Sequence, residues 1–321
     1  MKLKSLLIGS ALLATLVIGG CNENDTPTDP TPTPVAPKAV TNLVAVSLSE
    51  TSVGLRWNSP VDTALTGYNV SWKSSDGTDS GSVSVAPATD TTENATGLKA
   101  GKTYAFTVKT KRGTTLSTGV SVTWAGAQRF TNDAGTPAMT IRMYEFSSSE
   151  GSVLTLDPSL GGPKNVKAAS STSAVQLGFV VNKDGKIDIG AAYAFTEFKK
   201  VDKFDSSTYV STQSWVAMGL SDWFIPQSLD KYIPTDGNLR GFTFEPTITG
   251  ATGQGFVVRT GTTGNYHYAR VFVNNVGGKL LQGTAPNRYV ELTISYQNTP
   301  NVPFAKPGVA SPVGVYSRRL N

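Results

Sequence analysis

The chain has 321 residues, with 28 basic and 23 acidic side chains and a formal net charge of +5. Its positive charges are scattered, so no nucleic-acid footprint is present. A single histidine and a single cysteine exclude disulfides and metal centres built on imidazole and thiolate. Glycine, threonine, serine and valine are abundant and helical periodicity is scarce, which argues for an all-β protein.

Lys2 and Lys4 supply positive charge ahead of an apolar run over residues 6–18. The run falls short of the roughly 20 residues that span a bilayer. Gly19-Gly20-Cys21 follow it, completing the order of a secretory signal: basic end, short hydrophobic stretch, small residues at the cut. An ordinary cleavable signal would leave Cys21 as a lone thiol in an oxidising compartment. Ile18-Gly19-Gly20-Cys21 resembles the lipobox of bacterial lipoproteins. That resemblance implies a signal peptide over residues 1–20 and fatty acylation of Cys21, by chains such as palmitate. It also implies a lipid-anchored location in the bacterial cell envelope, with the outer membrane as the expected membrane. Removing Lys2 and Lys4 leaves 26 basic residues against 23 acidic, a net of +3.

Residues 21–37 read as a tether. After Cys21 the sequence NENDTPTDPTPTPVAP has no large apolar side chain beyond Val35 and cannot bury a core. Its repeated Thr-Pro favours extended polyproline II, so roughly fifteen residues would reach some 45 Å at about 3.1 Å per residue.

Residues 38–125 alternate in short runs between turn signals. Val53, Leu55 and Trp57 share one face, and Pro60 ends that strand. Tyr68, Val70 and Trp72 alternate again before Asp76-Gly77, a tight hairpin signal. Val83 and Val85, then Tyr104, Phe106 and Val108, then Val120, Val122 and Trp124 complete a set of short strands of immunoglobulin-like size. Val40-Thr41-Asn42-Leu43, Leu55-x-Trp57, Gly67-Tyr68-x-Val70 and Leu98-x-x-Gly101-x-x-Tyr104 resemble the fibronectin type III module in content and order. The resemblance implies a β-sandwich with Trp57 at the centre of the core. It also implies a tyrosine corner, in which the Tyr104 hydroxyl bonds back to backbone near Leu98. No Arg-Gly-Asp tripeptide occurs, so integrin-type adhesion has no support. The expected role of this module is a spacer.

Residues 126–305 read as a second β-rich domain, a sandwich or jelly roll, without resemblance to a family. Strands are expected over residues 140–146, 175–181, 187–195, 241–244, 255–259, 266–274 and 289–296, with one short helix after Pro226. Residues 306–321 are proline-spaced and read as a flexible tail.

Chemistry-bearing residues are sparse. His267 shares a strand face with Ala269, Val271 and Val273, the expected core side. Glu145, Asp157, Glu197 and Glu245 are carboxylates that a glycosidase could use, yet no motif supports them. Asn182, Asp184 and Asp188 place oxygens around Gly185, but a hairpin turn accounts for that pattern and a calcium loop needs a terminal acid. The opposite face of the His267 strand carries Tyr266, Tyr268, Arg270 and Phe272. Aromatic rings beside an arginine can stack on sugars or planar ligands while the guanidinium grips a carboxylate, so Tyr266, Tyr268 and Arg270 are the candidate ligand-binding residues. The alternative is that this face packs against another layer.

The expectation is a non-enzymatic, envelope-anchored lipoprotein that needs no cofactor or metal. It would meet the membrane through its N-terminal lipid and present the second domain to a glycan or envelope protein, with no nucleic-acid partner. A carbohydrate-active surface protein working through paired carboxylates is the first rival. A small-ligand or haem carrier is the second, although two histidine ligands are impossible in this chain.

Overall fold

The computed structural model describes residues 35–129, 141–156, 164–166, 175–200, 207–212, 214–217, 228–233 and 241–305. Cys21, Asp157, most of the tether and the tail from residue 306 lie outside them. Among the described residues no helix is long and apolar enough to cross a membrane.

The N-terminal sandwich is built from β1 (Thr41–Ser49), β2 (Ser52–Asn58), β3 (Gly67–Ser74), β4 (Ser80–Val85), β5 (Thr92–Ala95), β6 (Thr103–Arg112), β7 (Thr115–Leu116) and β8 (Val120–Ala125). One sheet has the order β1-β2-β5 and the other β4-β3-β6-β7, with β8 also paired to β6. Strand β6 shows the rule that builds it. Tyr104, Phe106, Val108 and Thr110 are buried, while the residues between them are at least partly exposed. Trp57 sits edge-on to Tyr68 with centroids 5.0 Å apart, at the centre of the core as expected. The tyrosine corner is present. The Tyr104 hydroxyl accepts the Lys99 amide N–H at 2.8 Å and donates to Asp79. Burial, reinforced by that carboxylate, pushes the Tyr104 phenol up to about 12.

Two residues separate β8 from the second sandwich. Its strands are β9 (Gln128–Arg129), β10 (Ile141–Tyr144), β11 (Val153–Thr155), β12 (Lys164–Val166), β13 (Leu177–Val181), β14 (Ile187–Ala191), β15 (Tyr209–Val210), β16 (Trp215–Ala217), β17 (Gly241–Phe244), β18 (Gly253–Thr262), β19 (Asn265–Asn274), β20 (Leu281–Gln282) and β21 (Tyr289–Gln297). The larger sheet runs β10-β21-β19-β18-β15, with β9 and β20 also on β21 and β16 on β18. The smaller sheet runs β12-β11-β13-β14-β17. Their inner faces meet over Ile141, Phe179, Ile189, Phe244, Phe256, Val271, Leu292 and Ile294, all buried. After Pro226, where a short helix is expected, the described residues carry a short 3-10 turn, Leu229–Tyr232.

Two features join the sandwiches. Directly after β8 the chain enters β9, where Gln128 and Arg129 pair with Tyr296 and Ser295 of β21. At the junction, a Cβ on Gly126 would lie 2.3 Å from the Glu50 carbonyl oxygen, so only glycine allows this backbone approach. After β21 the chain returns, and Val302 and Phe304 enter the N-terminal core. Phe304 packs on Trp124 at 5.5 Å. Gln297 Nε2 donates to the carbonyls of Gly126 at 2.6 Å and Phe304 at 3.2 Å.

Candidate functional site

The face singled out by alternation along β19 is the outer face of the larger sheet, and most of it is covered. Tyr268 and Phe272 are 3% and 2% exposed, and Arg270 is fully buried. The 3-10 turn brings Leu229 and Ile233 onto this face, joined by Ala127 and Ala305 from the two crossings between sandwiches. The Arg270 guanidinium lies over the Trp124 ring at 5.3 Å, and burial draws its pKa below the ordinary arginine value. The Tyr268 hydroxyl donates to Asp230, and burial ahead of that carboxylate raises its pKa. Tyr268 and Arg270 therefore belong to a packed seam, and strand β19 is buried on both faces over most of its length. Alternation reported the two faces correctly, but nothing in β19 itself tells what covers them.

Tyr266 stays half-exposed, and the structure adds two residues beside it. β18 and β19 turn back through the two residues Thr263 and Gly264, which sets Gly261 opposite Tyr266 and Arg259 opposite Tyr268. Gly261 has φ +91°, and a Cβ there would sit 2.2 Å from the Asn265 carbonyl oxygen. With no side chain opposite Tyr266, Arg259 leans over its ring at 4.3 Å. Across the other neighbour, β15 pairs Tyr209 with Arg259, and the same guanidinium lies 5.3 Å from the Tyr209 ring. Tyr209, Arg259 and Tyr266 are all half-buried. Asn301 Oδ1 accepts the Tyr266 amide N–H at 3.1 Å, fixing the start of β19.

The other residues read from sequence have structural partners. His267 faces the core side, stacked on Tyr296 at 6.1 Å, with Nδ1 3.4 Å from the Gln297 carbonyl. Glu145 is 5% exposed and held in a fork by Arg288, through Nε at 3.0 Å and Nη2 at 2.6 Å. Those bonds hold its carboxyl below the usual range, so it is poorly suited to donate a proton near neutrality. Glu245 pairs with Lys186, and Glu197 is exposed within a short 3-10 segment. Asn182 closes the β13–β14 hairpin: its Oδ1 accepts from Asp184 N and Lys186 N, each at 3.0 Å, and its Nδ2 donates to Asp188. Those contacts account for the pattern weighed as a calcium loop. Among the described residues no three His, Cys, Asp or Glu side chains cluster as a metal site would require.

At the opposite end of the same outer face, β10 and β21 set Tyr144 against Tyr289 and Arg142 against Glu291. The two rings are 5.2 Å apart and Arg142 lies over Tyr289 at 4.9 Å, but here Glu291 answers the guanidinium at 3.6 Å.

The fibronectin type III domain family model matches residues 38–126, and the chain carries that domain there. Over 112 residues the chain is 35% identical to chitinase Chi52 of Paenibacillus xylanexedens, a match covering 33% of this chain and 20% of that protein. The chain thus spans about a fifth of the length of the chitinase it matches. Similar solved structures include the fn3 domain of the human collagen alpha-1(XX) chain, at 22% identity and TM-score 0.27, covering 30% of this chain and 92% of that one. Another is the chicken CNTN1 FN1–FN3 fragment, at 15% identity and TM-score 0.27, covering 28% of this chain and 32% of that one.

Proposed function

We propose that this chain is a non-enzymatic cell-envelope lipoprotein, anchored in the outer membrane through Cys21, whose second sandwich recognises a glycan. The observation that carries the reading is the Tyr209–Arg259–Tyr266 stack, where aromatic rings and a cation stand half-exposed together on one sheet face. Sugars present C–H faces to aromatic rings and hydroxyls to charged groups, so this combination suits them. The ion pairs that occupy Glu145 and Glu245 favour binding over hydrolysis. Similarity to part of a chitinase favours a glycan over an envelope protein as partner. That same similarity supports a second reading, in which the chain is an accessory to carbohydrate-degrading enzymes at the cell surface.

Affinity electrophoresis of the full chain in gels containing insoluble or soluble polysaccharides tests the first reading. Retardation is expected, and Tyr209→Ala with Tyr266→Ala should abolish it. A chain that migrates unretarded in every polysaccharide overturns glycan recognition. Release of reducing ends from a retained polysaccharide overturns the non-enzymatic part. Mass spectrometry of native material should find Cys21 acylated, and a bare sulfur there removes the anchor.

A further inference from the structure

We propose that Arg259 is a carboxylate-binding residue and that the glycan taken at this face is an acidic saccharide containing uronic acid. The inference rests on the glycan reading above and adds the charge of the ligand. Among the described residues Arg259 has neither a hydrogen bond nor an ion pair, and its Nε is buried without a partner. Other arginines are answered by acids: Arg288 by Glu145 through a fork, and Arg142 by Glu291. Asp230, which the 3-10 turn brings to the same face, already accepts the Tyr268 hydroxyl. Rings on two sides hold the guanidinium, which leaves the edge of its planar fork as the route for an acceptor. A carboxylate fits such a fork with two parallel charge-assisted hydrogen bonds. The half-exposed Tyr209 and Tyr266 rings bordering that edge suit the C–H face of the sugar that carries it.

Isothermal titration of the full chain with a galacturonate oligosaccharide, the matching neutral galactose oligosaccharide and sodium acetate tests the proposal, with thermal unfolding run on each variant. The acidic oligosaccharide should bind at least about tenfold more tightly than the neutral one. Arg259→Gln should erase that preference. Arg259→Lys should erase most of it, because an ammonium cannot form the planar fork. Equal binding of acidic and neutral oligosaccharides to the wild-type chain overturns the proposal while leaving glycan recognition standing, and needs no variant to fold. Retained preference in a folded Arg259→Gln chain also overturns it. Binding of neither oligosaccharide removes the glycan reading itself. Acetate that binds as tightly as the galacturonate oligosaccharide overturns the saccharide part.

Discussion

The two sandwiches place their aromatic side chains differently. In the fibronectin type III domain Trp57, Tyr68, Tyr104, Phe106 and Trp124 are all 1% exposed or less, and only Trp72, across from Gly81, is half-buried. The Tyr68 hydroxyl reaches the Ala88 carbonyl at 2.8 Å and the Trp124 indole N–H reaches Ser47 at 2.9 Å. In the second sandwich Tyr144, Tyr209, Trp215, Tyr266 and Tyr289 remain half-exposed, all tied to the larger sheet, and two of them flank Arg259, which has no acid partner among the described residues. Rings in a core fix a fold. Rings held half-open on a rigid sheet are pre-positioned for a ligand, with little ordering left to do on binding. The contrast supports the proposed division, with structure in the first sandwich and recognition in the second.

The sharpest way to break that contrast is to remove a core ring. Trp57→Ala should cost about 3–5 kcal/mol, seen as a lowered urea midpoint by tryptophan fluorescence. A midpoint that does not move would mean the first core is not held by its rings. Phe304→Ala comes next, at about 3 kcal/mol, although Phe304 lies beyond the last strand of the second sandwich. A loss of that size, in the transition that reports Trp124, would show the returning chain completing the first core. No loss would make the two sandwiches independent. Gly261→Ala should cost about 1–3 kcal/mol, since it forces a side chain into a positive-φ hairpin position. It should also displace Tyr266 from Arg259, so affinity electrophoresis should report weakened retention alongside the lowered midpoint. Unchanged retention would separate the hairpin from binding.

Much of the first sandwich was legible because its determinants are local. Val53-x-Leu55-x-Trp57 and Tyr104-x-Phe106-x-Val108 mark their buried faces by alternation alone, and Gly101 and Tyr104 sit within one turn of each other. In the second sandwich the long strands β18, β19 and β21 could be read in the same way. Three-residue strands such as β11 and β12, and the two-residue β15, are too short to display a period. Tyr266 emerged from its strand, but the cover over Tyr268 and Arg270 comes from Leu229, Ala127 and Ala305, residues far apart in sequence that share no pattern. Arg259 was missed, yet a signal existed. Folding the chain back at Thr263-Gly264 sets Arg259 across from Tyr268 by counting residues. Tyr209 offered none, because its strand pairing follows from tertiary packing.

The smallest expected effect separates the two regions by their acids. Asp76 in the first sandwich and Glu145 in the second both have lowered pKa values, Asp76 chiefly through Lys102 and Glu145 chiefly through Arg288. A carboxylate lowered in the folded state binds protons more readily when unfolded, so its stabilisation is present above the unfolded pKa. It is lost as pH falls through the folded one. For Glu145 that window lies below its ordinary value of 4.5. Glu145→Gln should cost about 1 kcal/mol at neutral pH, because the amide keeps one acceptor for Arg288. Below the window the difference from wild type should close. Asp76 is exposed, with 47% of its side chain open to solvent, so its contribution should fade as salt rises to about 0.5 M, where surface charges are screened. The Glu145 side chain is 7% exposed and its pair should persist in salt. Urea midpoints of wild type, Asp76→Asn and Glu145→Gln, measured from neutral to acid pH at low and high salt, decide the matter. A Glu145→Gln deficit that disappears in salt, or that stays constant into acid, would mean the fork to Arg288 is not buried well enough to act as part of the core.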